Sequence, residues 1–311
     1  MTEASDAPPE LLRGVVIVAN PYSGAKENRA CVEALAAALR QRELEPRVIW
    51  DLDELVEVAG DPCSAERYRA VVVAGGDGTL NRVINLQRQL PVFVFPLGNE
   101  NLFSRELGCC GVAEHAADVI AAGRTQTIDL GRAGERLFAI VASAGFDGDA
   151  AHRLAQWRTQ ADRLRRVWSV DYAMPMLNSA WHYRYPPIDV DADGRKVRGA
   201  LCMVFNVPQY ASRLPLAFDA DPHDGLLDWL VFEKPGNLPL MGYALSVWLK
   251  RHRERSDVHH GRARRVVFGS SEPVPLEIDG EAAGFAPVMI EVVPDAVRVI
   301  VPQAQCACQV R

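Results

Sequence analysis

The 311 residues carry 34 Lys and Arg against 40 Asp and Glu, a formal net charge of −6, and this shortage of cations argues against a general nucleic-acid binder. With 49% hydrophobic and 24% charged residues, the composition is that of a globular chain long enough for about two domains. No apolar run approaches the length of a bilayer span, so any membrane contact is expected to be peripheral.

Residues 1–13 are polar and acidic, include Pro8 and Pro9, and lack the basic-then-apolar order of a signal peptide, so they read as a flexible arm. Gly14 to Ala19 reads as an apolar strand, followed by Asn20-Pro21-Tyr22-Ser23-Gly24. Lys26 to Arg40 has helical spacing through Cys31, Leu35, Ala38 and Leu39, and Arg47 to Trp50 is a short strand. The strand Ala70 to Ala74 stops at Gly75-Gly76-Asp77-Gly78-Thr79 and gives way to a helix from Thr79 to Gln89. Pro91 to Phe95 is a strand ending in Pro96-Leu97-Gly98-Asn99-Glu100-Asn101, and Asn101 to Leu107 and Glu114 to Ala122 look helical. Such alternation predicts a parallel sheet covered by helices, with ligands outside the carboxyl ends of its strands.

Gly75 to Thr79 is the most telling of these strand ends. A buried apolar run breaks into three glycines and a carboxylate just before a helix, so backbone N–H groups and the positive end of a helix dipole would converge on one anion. The same residues also suit an ordinary turn in which Asp77 or Thr79 caps the helix. There is no G-x-x-x-x-G-K-[ST] and no G-x-G-x-x-G opening this helix, which excludes the P-loop and the Rossmann fingerprint. Three small or polar loops on one sheet edge favour a nucleotide site, with Ser23, Thr79, Asn99 and Asn101 as hydrogen-bonding candidates and Lys26 as a phosphate contact. Asp77 is expected in an exposed loop.

From Thr127 to Gly131 onward, strand-like runs dominate: Leu137 to Ala142, Ile188 to Val190, Ala200 to Asn206, Leu227 to Phe232, Arg265 to Phe268, Val274 to Ile278, Val288 to Val293 and Val297 to Val301. Turn signals at Asp193-Gly194 and Asp279-Gly280 separate some of them, which predicts a β-sandwich-like second part. Two helical stretches interrupt the succession. Leu154, Trp157, Ala161, Leu164 and Trp168 form an amphipathic stripe with Arg158, Arg163, Arg165 and Arg166 around it, and Trp181 to Tyr185 follows. That mixture suits either a membrane interface or a face packed on its own domain. Leu240 to Lys250 ends in the basic run Arg251, His252, Arg253 and Arg255, which reads as a solvated helix end. The seven cysteines contain no C-x-x-C, and His259 and His260 lack a ligand partner at metal spacing, so a reduced cytoplasmic chain without structural zinc is expected.

The motif order Asn20-Pro-Tyr-Ser-Gly24, Gly75-Gly-Asp-Gly-Thr79, Pro96-Leu-Gly-Asn-Glu-Asn101, Ile128-Asp-Leu-Gly131, Gly145-Phe146-Asp147, Asp224-Gly-Leu-Leu-Asp228 and Ile278-Asp-Gly-Glu281 resembles the diacylglycerol kinase catalytic-domain family, which includes bacterial lipid kinases and the sphingosine and ceramide kinases. The resemblance implies an N-terminal α/β ATP-binding domain with a parallel sheet over residues 14–128, a β-rich lipid-acceptor domain over 129–311, and a cleft between them. It implies that ATP is held by Asn20, Ser23, Gly75, Gly76, Gly78, Thr79, Asn81, Gly98, Asn99 and Asn101, with Asp77 serving Mg²⁺ and the hydroxyl network. Glu281 would be the general base. Asp221, Asp224 and the Leu226 carbonyl would form a second Mg²⁺ site, and Asp149 would lie near the lipid headgroup. Asp224-Gly225 and Asp279-Gly280 are, on their residues alone, also good hairpin turns.

Some positions depart from the family pattern. Asn99 stands where most members have Thr, Leu102 stands where many have Asp, and Asn206 to Leu214 lacks the family's glycines. The expected activity is transfer of the ATP γ-phosphoryl group to a lipid alcohol at a membrane surface, by a cytoplasmic, peripherally associated protein, with a homodimer left open. The alternatives are a soluble-substrate kinase of NAD kinase type, against which no N-x-G-x-x-G-F segment is found, and a catalytically weak lipid-binding module.

Overall fold

The computed structural model describes residues 12–20, 28–160, 179, 182–211 and 214–303. Ser23 and Lys26, together with Arg163, Arg165, Arg166, Trp168 and Trp181, lie outside the described residues.

The first part runs β1 (Gly14–Ala19), α1 (Asn28–Arg40), β2 (Glu45–Ile49), α2 (Leu52–Gly60), α3 (Ser64–Arg67), β3 (Tyr68–Gly75), α4 (Asp77–Leu86), β4 (Val92–Pro96), α5 (Leu102–Glu106) and α6 (Ala113–Ala122). Strands β2, β1, β3 and β4 are parallel and lie in that order. Val15 to Ala19 and Ala70 to Gly75 are buried without interruption, the pattern of strands covered on both faces.

The chain continues through β5 (Thr125–Ala133), β6 (Arg136–Phe138), β7 (Val141–Gly145), α7 (Phe146–Gln160), β8 (Ile188–Ala192), β9 (Arg195–Gly199), β10 (Leu201–Phe205), β11 (Gln209–Tyr210), β12 (Leu214–Pro215), β13 (Leu227–Phe232), α8 (Asn237–Trp248), β14 (Val258–Ala263), β15 (Arg265–Gly269), β16 (Val274–Ile278), β17 (Glu281–Ala286) and β18 (Val288–Ile300). One antiparallel sheet has the order β14-β13-β10-β7-β16-β17. Its apolar face, with Cys202, Val204, Trp229, Val231 and Leu276, packs on Ile188, Val190, Val266, Phe268 and Ile290 to make the sandwich core.

The second sheet of that sandwich is not separate from the parallel sheet. After β4 comes β18, then β15, β8 and β9, so one ten-stranded sheet runs from the α/β part into the β part. Val299 of the last strand pairs with Val92 in parallel, and β5 pairs antiparallel with β18 along most of its length. Residues 128 and 129, where the change of domain is expected, fall inside β5.

Two expected strands take a different form. Val288 to Val293 and Val297 to Val301 form one strand with an irregularity between Val293 and Val297. Leu137 to Ala142 is broken at Ala139 and Ile140, because the backbone N–H groups of residues 139–141 turn toward the Asp279 carboxylate instead of a ladder partner.

Candidate active site

Asn20, at the end of β1, and the loops after β3 and β4 meet at the carboxyl edge of the parallel sheet. The Asn20 backbone N–H donates to the Ala74 carbonyl at 3.3 Å, and the Leu97 N–H donates to the Gly75 carbonyl at 3.0 Å. The Asn20 side-chain amide donates to Thr79 Oγ1 at 3.5 Å, and buried Asn28 donates to the Asn20 carbonyl at 3.1 Å. Gly76 and Gly98 touch through bare backbone. A methyl group added at Gly98 would stand 2.6 Å from the Gly76 Cα and 2.7 Å from Asn101 Oδ1, so any side chain there would push the loops apart.

Asn101 closes its own loop. Its φ of 51° puts it in the left-handed region, its Oδ1 accepts from the Gly98 N–H at 2.9 Å, and its Nδ2 donates to the Gly98 carbonyl at 2.7 Å. Asn99 is exposed at the rim.

The setting of Asp77 differs from the exposed loop expected. It is half-buried, and its Oδ2 and Oδ1 accept the N–H groups of Leu102 and Phe103 at 3.0 and 3.2 Å, so it caps α5 across the site. Burial pushes its carboxyl up to about 6 although those two donors pull it down. Protonation therefore favours the folded state, and this contribution is largest below the ordinary carboxylate range and is lost as pH rises through about 6. Sequence reasoning missed this role because α5 begins 25 residues away, and only the fold brings it alongside.

Asn81 is fully buried and engaged at both ends of its amide. Nδ2 donates to the Leu137 carbonyl at 2.9 Å and to Asp279 Oδ2 at 2.8 Å, while Oδ1 accepts from Arg136 Nη2 at 2.8 Å. It lies under the glycine loop as a strut, not on its surface. Asp279 is also buried, and besides Asn81 it accepts the N–H groups of Ala139, Ile140 and Val141 at 2.9, 2.9 and 3.0 Å. Burial pushes its carboxyl up, and the four donors act against that shift.

Arg136 carries this buried network to the surface. Its Nη2 also donates to Glu281 Oε2 at 2.8 Å, and Arg82 Nη2 lies 3.7 Å from Oε1. A methyl group at Gly78 would stand 3.4 Å from Glu281 Oε1, so the carboxylate sits directly beside the first turn of α4. The structure thus brings Glu281 to the glycine loop from more than 200 residues away. Arg136, Arg82 and the clamping role of Asp279 are additions to the residues read from sequence, where Asp279 is visible only as a turn.

Asp149 lies on the first turns of α7 and pairs with Arg153 at 2.6 Å. Nearby, the Phe146 and Tyr185 rings stack with centroids 6.3 Å apart. The expected second metal set looks different. Asp224 Oδ2 accepts from Arg262 at 2.8 Å and Oδ1 from the Leu226 N–H at 3.0 Å, while exposed Asp221 Oδ1 lies 2.8 Å from His223 Nδ1. The positive charge facing Asp224 here is a guanidinium, and among the described residues no three His, Cys, Asp or Glu side chains converge as a metal cage.

Residues 14–133 match the family described as diacylglycerol kinase catalytic domain, and residues 140–301 match the YegS C-terminal NAD kinase beta sandwich-like domain. The chain belongs to the diacylglycerol kinase catalytic-domain family, which makes it a kinase of the lipid-kinase type. It is 28% identical over 310 residues to a diacylglycerol kinase of Mycobacterium tuberculosis, covering 93% of this chain and 95% of that one. It is 25% identical over 303 residues to "Probable lipid kinase YegS-like" of Shewanella frigidimarina, covering 93% and 94%. A crystal structure of a Bacillus anthracis diacylglycerol kinase superposes with a TM-score of 0.66 at 18% identity, covering 94% of this chain and 98% of that one, a likeness of fold.

Proposed function

We propose that this protein is an ATP-dependent lipid kinase that transfers the γ-phosphoryl group to a hydroxyl of diacylglycerol, a sphingoid base or ceramide. The observation that carries the reading is the placement of the Glu281 carboxylate against Gly78, held there by Arg136. The residues present fit a nucleotide: the loop is bare backbone at a helix N-terminus, and the Asp77 oxygens each keep a second lone pair beside it for the metal that accompanies ATP. Bound Mg-ATP would supply the phosphoryl group and neutralise its charge. Backbone N–H groups of residues 76–78 would orient the phosphates, and Glu281 would take the proton of the lipid hydroxyl. Arg136 would hold that carboxylate in place and Arg82 would add positive charge beside it.

The test is incubation of the protein with Mg-ATP, diacylglycerol, sphingosine, ceramide and NAD together, followed by mass spectrometry of every species that gains a phosphate. Phosphorylated NAD alone would establish the second reading, which the name of the matched C-terminal domain favours. No phosphorylated species at all would leave the lipid-binding module.

The membrane partner is an anionic bilayer, and the surface proposed for it is α8. Leu238 is 81% exposed, Met241 and Trp248 are 69% exposed, and Leu245 and Leu249 complete one face at helical spacing. Exposed Lys250 and Arg251 lie at the end of that face, although Arg251 is shared with Glu254. The helix also begins beside the proposed acceptor end, since Tyr185 donates to Asn237 Oδ1 at 2.9 Å and stacks on Phe146, next to Asp147 and Asp149. Trp157, one of the described residues of the aromatic and basic region singled out in the sequence, is also exposed. A Leu245→Asp, Trp248→Asp double variant is expected to lose cosedimentation with phosphatidylglycerol vesicles while keeping the wild-type Tm, because neither side chain is in a core. Unchanged vesicle binding would remove α8 from the proposal, and a dimer that dissociates in the variant would assign the face to a second copy instead.

A further inference from the structure

Behind the turn that carries Glu281 lies a second pair of carboxyl groups, for which the proposed reaction has no use. Ser143 on β7 and Glu277 on β16 are cross-strand partners, and both are fully buried. Ser143 Oγ stands 2.9 Å from Glu277 Oε2 and 2.7 Å from Asp147 Oδ2 in the first turn of α7. Tyr210 donates its hydroxyl hydrogen to the same Asp147 oxygen at 2.5 Å. The other oxygen of Glu277, Oε1, accepts the N–H of Gly280, the residue between Asp279 and Glu281.

The hydrogens on this chain of oxygens can be counted. A serine hydroxyl carries one hydrogen, and an ionised carboxylate only accepts. Both Ser143 contacts are therefore satisfied only if one of the two carboxyl groups keeps a proton and donates it to Ser143 Oγ. Asp147 is half-exposed and already receives the Tyr210 hydrogen, whereas Glu277 has no access to water, so the proton belongs on Glu277.

We propose that Glu277 is a positioning residue that carries a proton at neutral pH, donates it to Ser143 Oγ, and through its other oxygen holds the Gly280 N–H so that the Asp279-Gly280-Glu281 turn keeps Glu281 beside the glycine loop. The role in activity rests on the lipid-kinase reading; the protonation itself does not. The ionisable groups facing Glu277 are Asp147 from α7 and Asp279 from its own turn, both acidic, while Glu281 points away to Arg136. Burial first, and then the neighbouring Asp147, push the Glu277 carboxyl well above the ordinary range, in the same sense as the hydrogen count.

In the unfolded chain Glu277 ionises in the ordinary carboxylate range, but in the folded protein it stays neutral, so stability from this site is full in acid and is lost as pH rises above that range. A glutamine offers the same pattern permanently, an N–H for Ser143 and a carbonyl for Gly280. Glu277→Gln is therefore expected to match the wild-type Tm near about pH 4, to exceed it by a few degrees near about pH 8, and to keep wild-type kcat at neutral pH. Glu277→Ala, which removes both hydrogen bonds, is expected to lose stability and turnover together.

Infrared spectroscopy of the wild-type protein gives a reading that needs no kinase activity: a protonated-carboxyl band that persists at pH 7 and is absent from Glu277→Gln. Absence of that band in wild type, or a Gln variant that melts lower than wild type near about pH 8, overturns the proposal. A Gln variant with the expected melting profile but lowered kcat overturns only the positioning role. Intact protonation with no lipid phosphorylated by the wild type counts against the kinase reading alone.

Discussion

Glu281→Gln is expected to lower kcat by about 10²- to 10⁴-fold while leaving the melting temperature nearly unchanged. Glutamine fills the same volume but accepts no proton from an attacking hydroxyl, so the loss falls on the chemical step. The fold should tolerate the change because Arg136 keeps its two bonds to Asn81 Oδ1, at 3.1 and 2.8 Å, after its bond to Glu281 weakens. The ion pair itself is partly exposed on both sides and is worth at most about 1 kcal/mol. Steady-state kinetics with the phosphorylated lipid identified in the first assay, paired with a thermal melt, makes the measurement. Wild-type turnover in the variant would show that Glu281 is not the base. A large fall in Tm would show instead that its main work is structural.

The largest effect on stability is expected at the neighbouring position. Asp279→Ala removes the acceptor for the Ala139, Ile140 and Val141 N–H groups and for Asn81 Nδ2, all of them buried. Each buried donor left without a partner costs about 1–3 kcal/mol, so the loss is on the order of 4 kcal/mol or more, at the extreme of single substitutions. Alanine also fits poorly at the residue's φ of 48°, which adds about 1 kcal/mol. The expected fall in Tm is roughly 10 °C. A melt within about 2 °C of wild type would mean that water or a local backbone shift satisfies those donors. Glu281→Gln and Asp279→Ala thus separate two roles two residues apart: one side chain faces the glycine loop, and the other closes the gap between β6 and β7.

Local patterns revealed most of the elements around the site, although not the helices Leu52–Gly60 and Ser64–Arg67 or the strands Arg195–Gly199, Val258–Ala263 and Glu281–Ala286. An uninterrupted apolar run such as Val15 to Ala19 reads as a strand covered on both faces, and three glycines at a strand end before a helix mark bare backbone, because both follow from neighbours in the chain. The motif order was also legible, since it is linear. What the sequence did not disclose are the partners. Asp77 looked like a loop carboxylate and is a cap for α5, Asn81 looked like a ligand contact and is a buried strut, and Asp279 looked like a turn and is the clamp beneath the site. The apolar face of α8 was hidden behind its basic end, because periodicity shows that a face exists but not whether anything covers it. β18, read as two strands of a separate domain, returns to pair with β4. Each of these depends on contacts between residues tens to hundreds of positions apart, and only the packed sheets bring those together. Much of the secondary structure and the loop chemistry therefore followed from the sequence read locally, while the protonation of Asp77, Glu277 and Asp279, and the burial and hydrogen-bond partners of these residues and of Glu281, were decided by tertiary structure, because a carboxylate's chemistry is set by the donors, charges and water that surround it.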